Sequence, residues 1–238
     1  MVSIKNDLKA LCPECGNDMT KGDLVERECI RCGNRFVDDE ICINGHYVCE
    51  ACRRKTASKI IYKVCSNSDF KDPIAIALEI MSDKSIRMHD MQHHIMVASC
   101  LLTAYKNCGG DIDLDKALRD AEKRGSWFQP GICGLCGNCG AAASTGIFYS
   151  IITKTSPHSK DSWSDTNMMT ASSLTKVASI NGPRCCKRNT FISIYNACDY
   201  VKKKLGVRME PTKDVECPFS ERNEECIGKT CPFYPQDE

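Results

Sequence analysis

The chain has 238 residues, 42% hydrophobic and 26% charged, a composition typical of soluble globular proteins. Lys and Arg number 32 against 31 Asp and Glu, and this net charge of +1 gives no overall field that would attract nucleic acid or an anionic membrane. The longest apolar runs fall far short of a spanning helix, and the first twelve residues carry no signal segment. We therefore expect a cytoplasmic protein with no membrane partner.

Nineteen cysteines, an odd number arranged mostly in short-spaced pairs, predict metal binding, because cytoplasmic thiols are kept reduced. A disulfide scaffold is the alternative. So many thiols also suit an anaerobic host. The sequence divides into a zinc-binding module at 1–58, a helical metal-binding core domain at 60–208 and a cysteine-rich tail at 209–238 that packs on the core. The predicted fold class is mainly α, with an N-terminal module of the zinc-ribbon or treble-clef kind.

Two CxxC pairs open the first block, 13 residues apart and each followed by a glycine. Their four cysteines are Cys12, Cys15, Cys29 and Cys32. Four thiolates at this spacing predict one closed tetrahedral Zn²⁺ site, with a rubredoxin-like iron as the rival metal.

A second group of metal-binding residue types follows at once: Cys42, His46, Cys49 and Cys52. The spacing leaves open whether Cys49 and Cys52 join Cys42 and His46, or join Cys29 and Cys32 in a treble clef. The alternative is that His46 is only a turn residue, because Asn44-Gly45 before it is a strong turn signal. Modules of this size brace a neighbouring domain or bind a protein or RNA partner.

The middle block carries the helical signals. A short helix is expected at 53–61, and Asp72-Pro73, Asp90 and Asp113 are candidate starts of three more. The predicted helices of this block are 72–81, 90–108, 113–125, 141–152, 163–180 and 189–204.

The loop before residue 141 contains Cys133, Cys136 and Cys139 as C-x2-C-x2-C, with a glycine after each cysteine. This is the spacing of the first three ligands of bacterial ferredoxins, and it predicts an iron–sulfur cluster of the 4Fe–4S kind. The helix that follows would direct its positive end at the anionic cluster. Zinc in the same pocket, or no metal, are the alternatives.

A basic turn contains Cys185 and Cys186 between Arg184 and Lys187-Arg188. Adjacent cysteines point different ways, so one of them, Cys185, is the candidate fourth cluster ligand, and Cys186 is a candidate sulfur relay. The cations would lower the pKa values of the thiols or hold an anionic substrate, and Arg184 is the candidate for the latter. The alternative is a basic helix start with buried free cysteines.

His93 and His94 belong to the only histidine cluster and are candidates for proton transfer, with a structural role as the alternative. The tail contributes Cys217, Cys226 and Cys231, either as a third metal set or as a lid over the second. Four further cysteines lie on helical faces and are read as packing residues: Cys65, Cys100, Cys108 and Cys198.

The ordered segments HDMQHH, ICGLCGNCGAAASTGIFYSIIT, NGPRCCKRNTF and CPFSERNEECIGKTCPFYP resemble an uncharacterised family of cysteine-rich proteins. That family is known only as a domain of unknown function, largely from anaerobic archaea and bacteria. The resemblance covers roughly residues 72–235, implies that the zinc module is an addition, and supplies no reaction.

Two functions remain open at this level. One is an enzyme in which a three-cysteine cluster uses an open iron as Lewis acid or sulfur acceptor on a small anionic or sulfur-containing substrate. The other is a non-catalytic zinc or iron–sulfur module that transfers electrons or docks a protein or RNA. Three ligands beside a pocket favour the first function, and four closed ligands favour the second.

Overall fold

A computed structural model describes residues 11–236. The first ten residues, where no signal segment is expected, lie outside this range. The only two paired strands in the described range form an antiparallel hairpin: β1, Met19–Glu28, and β2, Arg35–Cys42. The register runs from the Met19–Cys42 pair to the Glu28–Arg35 pair, with a bulge between Lys21 and Val25. Each end of the hairpin therefore carries its own cysteines, and the length of the strands separates the two groups.

The remaining regular structure is helical, which confirms the predicted fold class. Between two of the long helices, the glycine-rich loop forms one short additional helix. The helices are α1 (Glu50–Asn67), α2 (Pro73–Met81), α3 (Gln92–Asn107), α4 (Leu114–Gly125), α5 (Ile132–Leu135), α6 (Gly140–Ile152), α7 (Asp161–Ala178) and α8 (Cys186–Leu205).

The helix starts follow capping chemistry. The Asp72 carboxylate accepts from Ile74 N at 2.8 Å, and the Asp113 carboxylate accepts from Lys116 N at 3.1 Å, as the sequence predicts. The prediction that Asp90 caps α3 is wrong. Met91 is the N-cap residue, and the Asp90 carboxylate accepts from the adjacent Met91 N, because residues 88–91 already turn before the helix begins.

Helix α3 is the centre of the core: its residues from Gln92 to Ala104 are all buried. Helices α1, α2, α4, α6 and α8 pack around it. Small residues at the start of α6 allow close approach to α3, and a Cβ added at Gly140 would lie 2.2 Å from His94 Cδ2. The predicted packing residues Cys65, Cys100 and Cys198 are buried in this core, and Cys108 packs against it.

The hairpin is attached to the helices by buried charge. Glu40 on β2 accepts hydrogen bonds from both Arg53 on α1 and Arg87 in the loop before α3. Lys84 Nζ adds a bond to Glu14 O at 2.6 Å. Helix α1 itself runs through the predicted domain boundary near residue 58, from the cysteines at its start to Ile61 and Cys65 in the core. The hairpin and the helical domain are therefore joined by a continuous helix and by buried ion pairs.

The C-terminal segment after α8 lies against the helices. Cys217 N donates to Phe233 O at 2.7 Å, and the Phe233 ring packs on Phe191 and Tyr195 of α8 at centroid distances of 5.2 and 6.2 Å. The segment contains two short 3-10 turns, Ser220–Arg222 and Gly228–Thr230. Among the helices within residues 11–236, none has the length and apolar character needed to cross a membrane.

Candidate metal centres

The first centre joins one end of the hairpin to the turn after β2. Its four residues are Cys12, Cys15, Cys42 and His46, whose ligand atoms all lie within 4.8 Å of one another. Cys15 Sγ is 3.5 Å from Cys42 Sγ, and Cys12 Sγ is 3.9 Å from His46 Nδ1. The Asn17 N–H lowers the pKa of the Cys15 thiol to about 6, which favours the thiolate that a metal binds.

The second centre joins the other end of the hairpin to the start of α1. It consists of Cys29, Cys32, Cys49 and Cys52, again within 4.8 Å of one another. Cys32 Sγ is 3.8 Å from Cys49 Sγ, and Cys49 N donates to Cys29 Sγ at 3.3 Å. Burial opposes ionisation of Cys29, but backbone N–H donors outweigh it and the pKa falls to about 6. The arrangement of a knuckle followed by a helix start is that of a treble clef.

The prediction that Cys12, Cys15, Cys29 and Cys32 form one four-thiolate site is therefore wrong. Strand β1 lies between the two CxxC pairs, and ten extended residues span roughly 30 Å, so the pairs are held at opposite ends of the hairpin. Each pair is completed by later residues, and the ligand sets interleave along the chain. Both groups can bind a metal ion, and His46 belongs to the first of them.

A large cavity opens where the glycine-rich loop meets α7 and α8. Its volume is about 1040 Å³, and its wall includes Cys133, Cys139 and Arg184, with Leu174 and Val177 of α7 on the apolar side. Cys139 is buried and accepts from Asn189 Nδ2 at 3.3 Å, whereas Cys136 is exposed. Burial raises the pKa of Cys133, and the nearby Cys139 thiol adds to this effect. The cavity is large enough for a small molecule.

The adjacent cysteines at the start of α8 face different surroundings. Cys185 is the extended N-cap residue, and its Sγ accepts from Arg188 N at 3.4 Å. Cys186 is the first helical residue. Burial raises its pKa, and the thiols of Cys139 and Cys133 interact with it electrostatically. Cys186 therefore faces the glycine-rich loop, while Cys185 faces the C-terminal segment.

The two predicted catalytic histidines are buried, and neither belongs to the cavity wall. His93 Nδ1 lies 3.2 Å from Asp90 O, and its Nε2 makes no hydrogen bond. His94 Nδ1 lies 3.2 Å from Phe128 O, and its ring contacts the backbone at Gly140. Their role in proton transfer stays a prediction.

His89 is a residue that sequence reasoning missed. Its Nδ1 accepts from Cys186 N at 3.3 Å, and its Nε2 lies 3.1 Å from Asn223 Oδ1 and 3.5 Å from Glu225 Oε2. Burial lowers the pKa of His89 to about 4. This imidazole bridges α8 to the C-terminal segment, and only its membership in the HDMQHH cluster marked it in the sequence.

Many buried polar atoms around these cysteines make no hydrogen bond. They occur on the first two turns of α8 and at the start of α3: Lys187 Nζ, Arg188 Nε, Asn189 Oδ1, Thr190 Oγ1, Ser193 Oγ, Gln92 Nε2, Gln92 Oε1 and His93 Nε2. Buried polar groups in folded proteins nearly always have a partner, so a concentration of this kind indicates a polar group that belongs between these elements.

These features define a cysteine-rich helical domain attached to a module with two groups able to bind metal ions. Residues 61–234 match the model of the family of unknown function DUF5714, and the chain belongs to that family. The match begins within α1, after the two hairpin centres. Neither the curated proteins nor the solved structures gave a match to the chain.

Proposed function

We propose that the helical domain is a cytoplasmic metalloenzyme that holds an iron–sulfur cluster through Cys133 and Cys139, which line the large cavity, and through Cys136 on the same loop. The N-terminal centres hold two structural zinc ions and brace the domain through α1. The observation that carries the proposal is the concentration of buried, unpartnered polar atoms on α8 and α3. Two of the residues, Arg188 and Asn189, line the large cavity, and the Asn189 amide donates to Cys139 Sγ. An apolar core would not require them, whereas a polar cofactor and its substrate would.

The charge around the loop supports an anionic group. Arg184 and Arg188 line the cavity together with Glu225, whose Oε2 lies 3.6 Å from Arg184 Nε, and the positive end of α8 adds to the two arginines. One carboxylate does not balance two guanidinium groups, so thiolates and an anionic ligand are the natural complement of this wall.

Three protein ligands would leave one iron open to the cavity, where it supplies a Lewis acid. Arg184 and Arg188 bind the anionic end of a small substrate, and the apolar face of α7 excludes water from the other end. Cys186 stands beside the cluster as a fourth thiol outside its shell. His93, whose buried Nε2 makes no hydrogen bond, is the candidate for proton transfer.

Metal and sulfide content test the proposal directly. Protein purified without oxygen should be brown and contain iron and acid-labile sulfide. The Cys133→Ala/Cys139→Ala variant should lose iron and sulfide and keep its zinc. Cys108→Ala, which changes a thiol that packs against the core away from the cavity, is the matched control. Colourless protein without sulfide after anaerobic reconstitution would refute the proposal.

A second function, docking of a protein partner by the module, is favoured by one observation. The hairpin and its turns expose large apolar side chains: Leu24, Val25, Ile30, Phe36, Val37 and Ile43. Acidic residues outnumber basic ones along the hairpin, which favours a protein over RNA. A Leu24→Ser/Val37→Ser variant should keep its zinc and lose a protein that the wild-type chain retains. Retention of RNA by the wild-type chain would contradict this.

A further inference from the structure

We propose that Cys185, Cys217, Cys226 and Cys231 form a second, closed iron–sulfur site, separate from the loop of Cys133 to Cys139. All four line one small cavity of about 20 Å³ between α8 and the C-terminal segment. The four residues come from the start of α8 and from the C-terminal segment 32 to 46 residues further along the chain, so their convergence is a property of the fold. The inference goes beyond the proposed function, which uses only the other cysteines.

The placement of Cys185 assigns it to this site. Its Sγ accepts from Arg188 N at 3.4 Å and from Asn223 Nδ2 at 3.6 Å, and both Arg188 and Asn223 also line the small cavity. Cys186, the next residue, is absent from that wall and interacts with Cys139 and Cys133 instead. The Cys185-Cys186 pair is thus divided between two neighbouring sites, one on each side of the start of α8.

The other three cysteines are fixed by backbone hydrogen bonds and aromatic packing. Cys217 N donates to Phe233 O at 2.7 Å, Cys226 N donates to Asn223 O at 3.0 Å, and Cys231 N donates to Gly228 O at 2.8 Å. Phe233 in turn packs on α8. A segment with only two short 3-10 turns gains little from regular structure, so a metal group shared with α8 would supply what holds it in place.

The wall of the small cavity also contains a positive charge that would balance a cluster held by four thiolates. Lys187 lines it, is fully buried, and lies 4.7 Å above the Phe219 ring with no hydrogen bond to its Nζ. Four thiolates around a cluster leave a net negative charge, and a buried ammonium beside them compensates it. The Asn223 amide, which donates to Cys185 Sγ, is oriented by His89, as expected of a second layer of ligand support.

The spacing favours a polynuclear cluster over a single zinc ion. Within residues 11–236 only the two hairpin groups bring three or more ligand atoms within 4.8 Å of one another. A zinc ion requires such proximity, because each Zn–S bond is about 2.3 Å long. No three of the four cysteines at α8 come this close, although all four line one cavity, so a group larger than a single ion would have to join them.

Iron and sulfide counts in two double variants test the site. Cys217→Ala/Cys231→Ala should lose about four irons and four sulfides per chain relative to anaerobically reconstituted wild type, and keep its zinc. Cys108→Ala should lose none. Wild-type iron and sulfide in the double variant would overturn the inference, and so would a zinc content that falls by one while iron is unchanged.

The outcome is independent of the proposed function. If Cys133→Ala/Cys139→Ala retains all the iron and Cys217→Ala/Cys231→Ala loses it, the closed site stands and the open one fails. The reverse pattern overturns the closed site alone. Should the double variant not fold, Lys187→Met keeps all four thiols and removes the buried charge. It should shift the reduction potential of one cluster signal to more negative values, and unchanged potentials would count against the site.

Discussion

Replacing Glu40 by Gln should weaken the attachment of the hairpin to the helical domain and lower the free energy of unfolding. The Glu40 side chain is only 5% exposed, and its Oε2 accepts from Arg53 and from Arg87, which are 8% and 19% exposed. The amide of Gln can retain one of these bonds through its oxygen, but it carries no negative charge. Both arginines therefore lose their counter-charge, and Arg53 has the least access to water.

The magnitude follows from that loss. Breaking a buried ion pair from one side costs about 3–5 kcal/mol, and the one retained hydrogen bond places Glu40→Gln at the lower end, about 3 kcal/mol. For a chain of this size such a change lowers the melting temperature by about 6–12 °C. Thermal unfolding followed by circular dichroism measures this, and hydrogen exchange should show that amides of β1 and β2 lose protection first.

Glu26→Gln is the matched control, because it makes the same chemical change in the same hairpin. Glu26 pairs with Arg35 at 3.3 Å, but both side chains are more than 60% exposed. An exposed pair contributes about 0–1 kcal/mol. Equal melting temperatures for Glu40→Gln and Glu26→Gln would refute the argument that the buried network holds the module.

Three further outcomes are expected. If each interleaved set holds one zinc ion, as proposed, Cys32→Ser should lower zinc by about one equivalent per chain, measured by elemental analysis; an unchanged zinc content would contradict this. Gly140→Ala should cost about 1–3 kcal/mol in urea unfolding, because its Cβ would meet the His94 ring, and the same substitution should cost less in a His94→Ala background. The folded-state pKa of His89 is lowered to about 4, so the unfolded chain binds the proton first and stability falls as pH drops from about 6.5 towards 4. Between pH 7 and 5 this amounts to about 2 kcal/mol; His89→Asn should reduce the slope, and His158→Asn, on the surface, should not.

Local chemistry explains what the sequence could predict. Asp72 with Pro73 and Asp113 were recognised as helix starts because capping depends on residues two or three positions apart. The same logic failed for Asp90, where the turn of residues 88–91 comes before the helix. The small residues from Gly140 onward correctly indicated a buried helix, since only close packing against another helix explains such a run.

The pairing of the cysteines could not be predicted in the same way. Spacing within a CxxC pair is local, but which pairs converge depends on the length of β1 and on the return of the chain to α1. His89 was passed over for the same reason: its partners Cys186 and Asn223 are 97 and 134 residues away. The cysteine pairing and the contacts of His89 both depend on residues far apart in the sequence, and the periodicity of the sequence does not report such contacts.

Helix α1 has a mechanical consequence for the module. Its 18 residues extend about 27 Å, from the thiols of Cys49 and Cys52 to Cys65 in the core, without a break. A force applied to the hairpin is therefore transmitted through one continuous helix to the core of the helical domain, with no hinge between them. A shortened chain that begins at the family boundary near residue 61 would lack the first half of α1 and would expose the buried Ile61 to solvent.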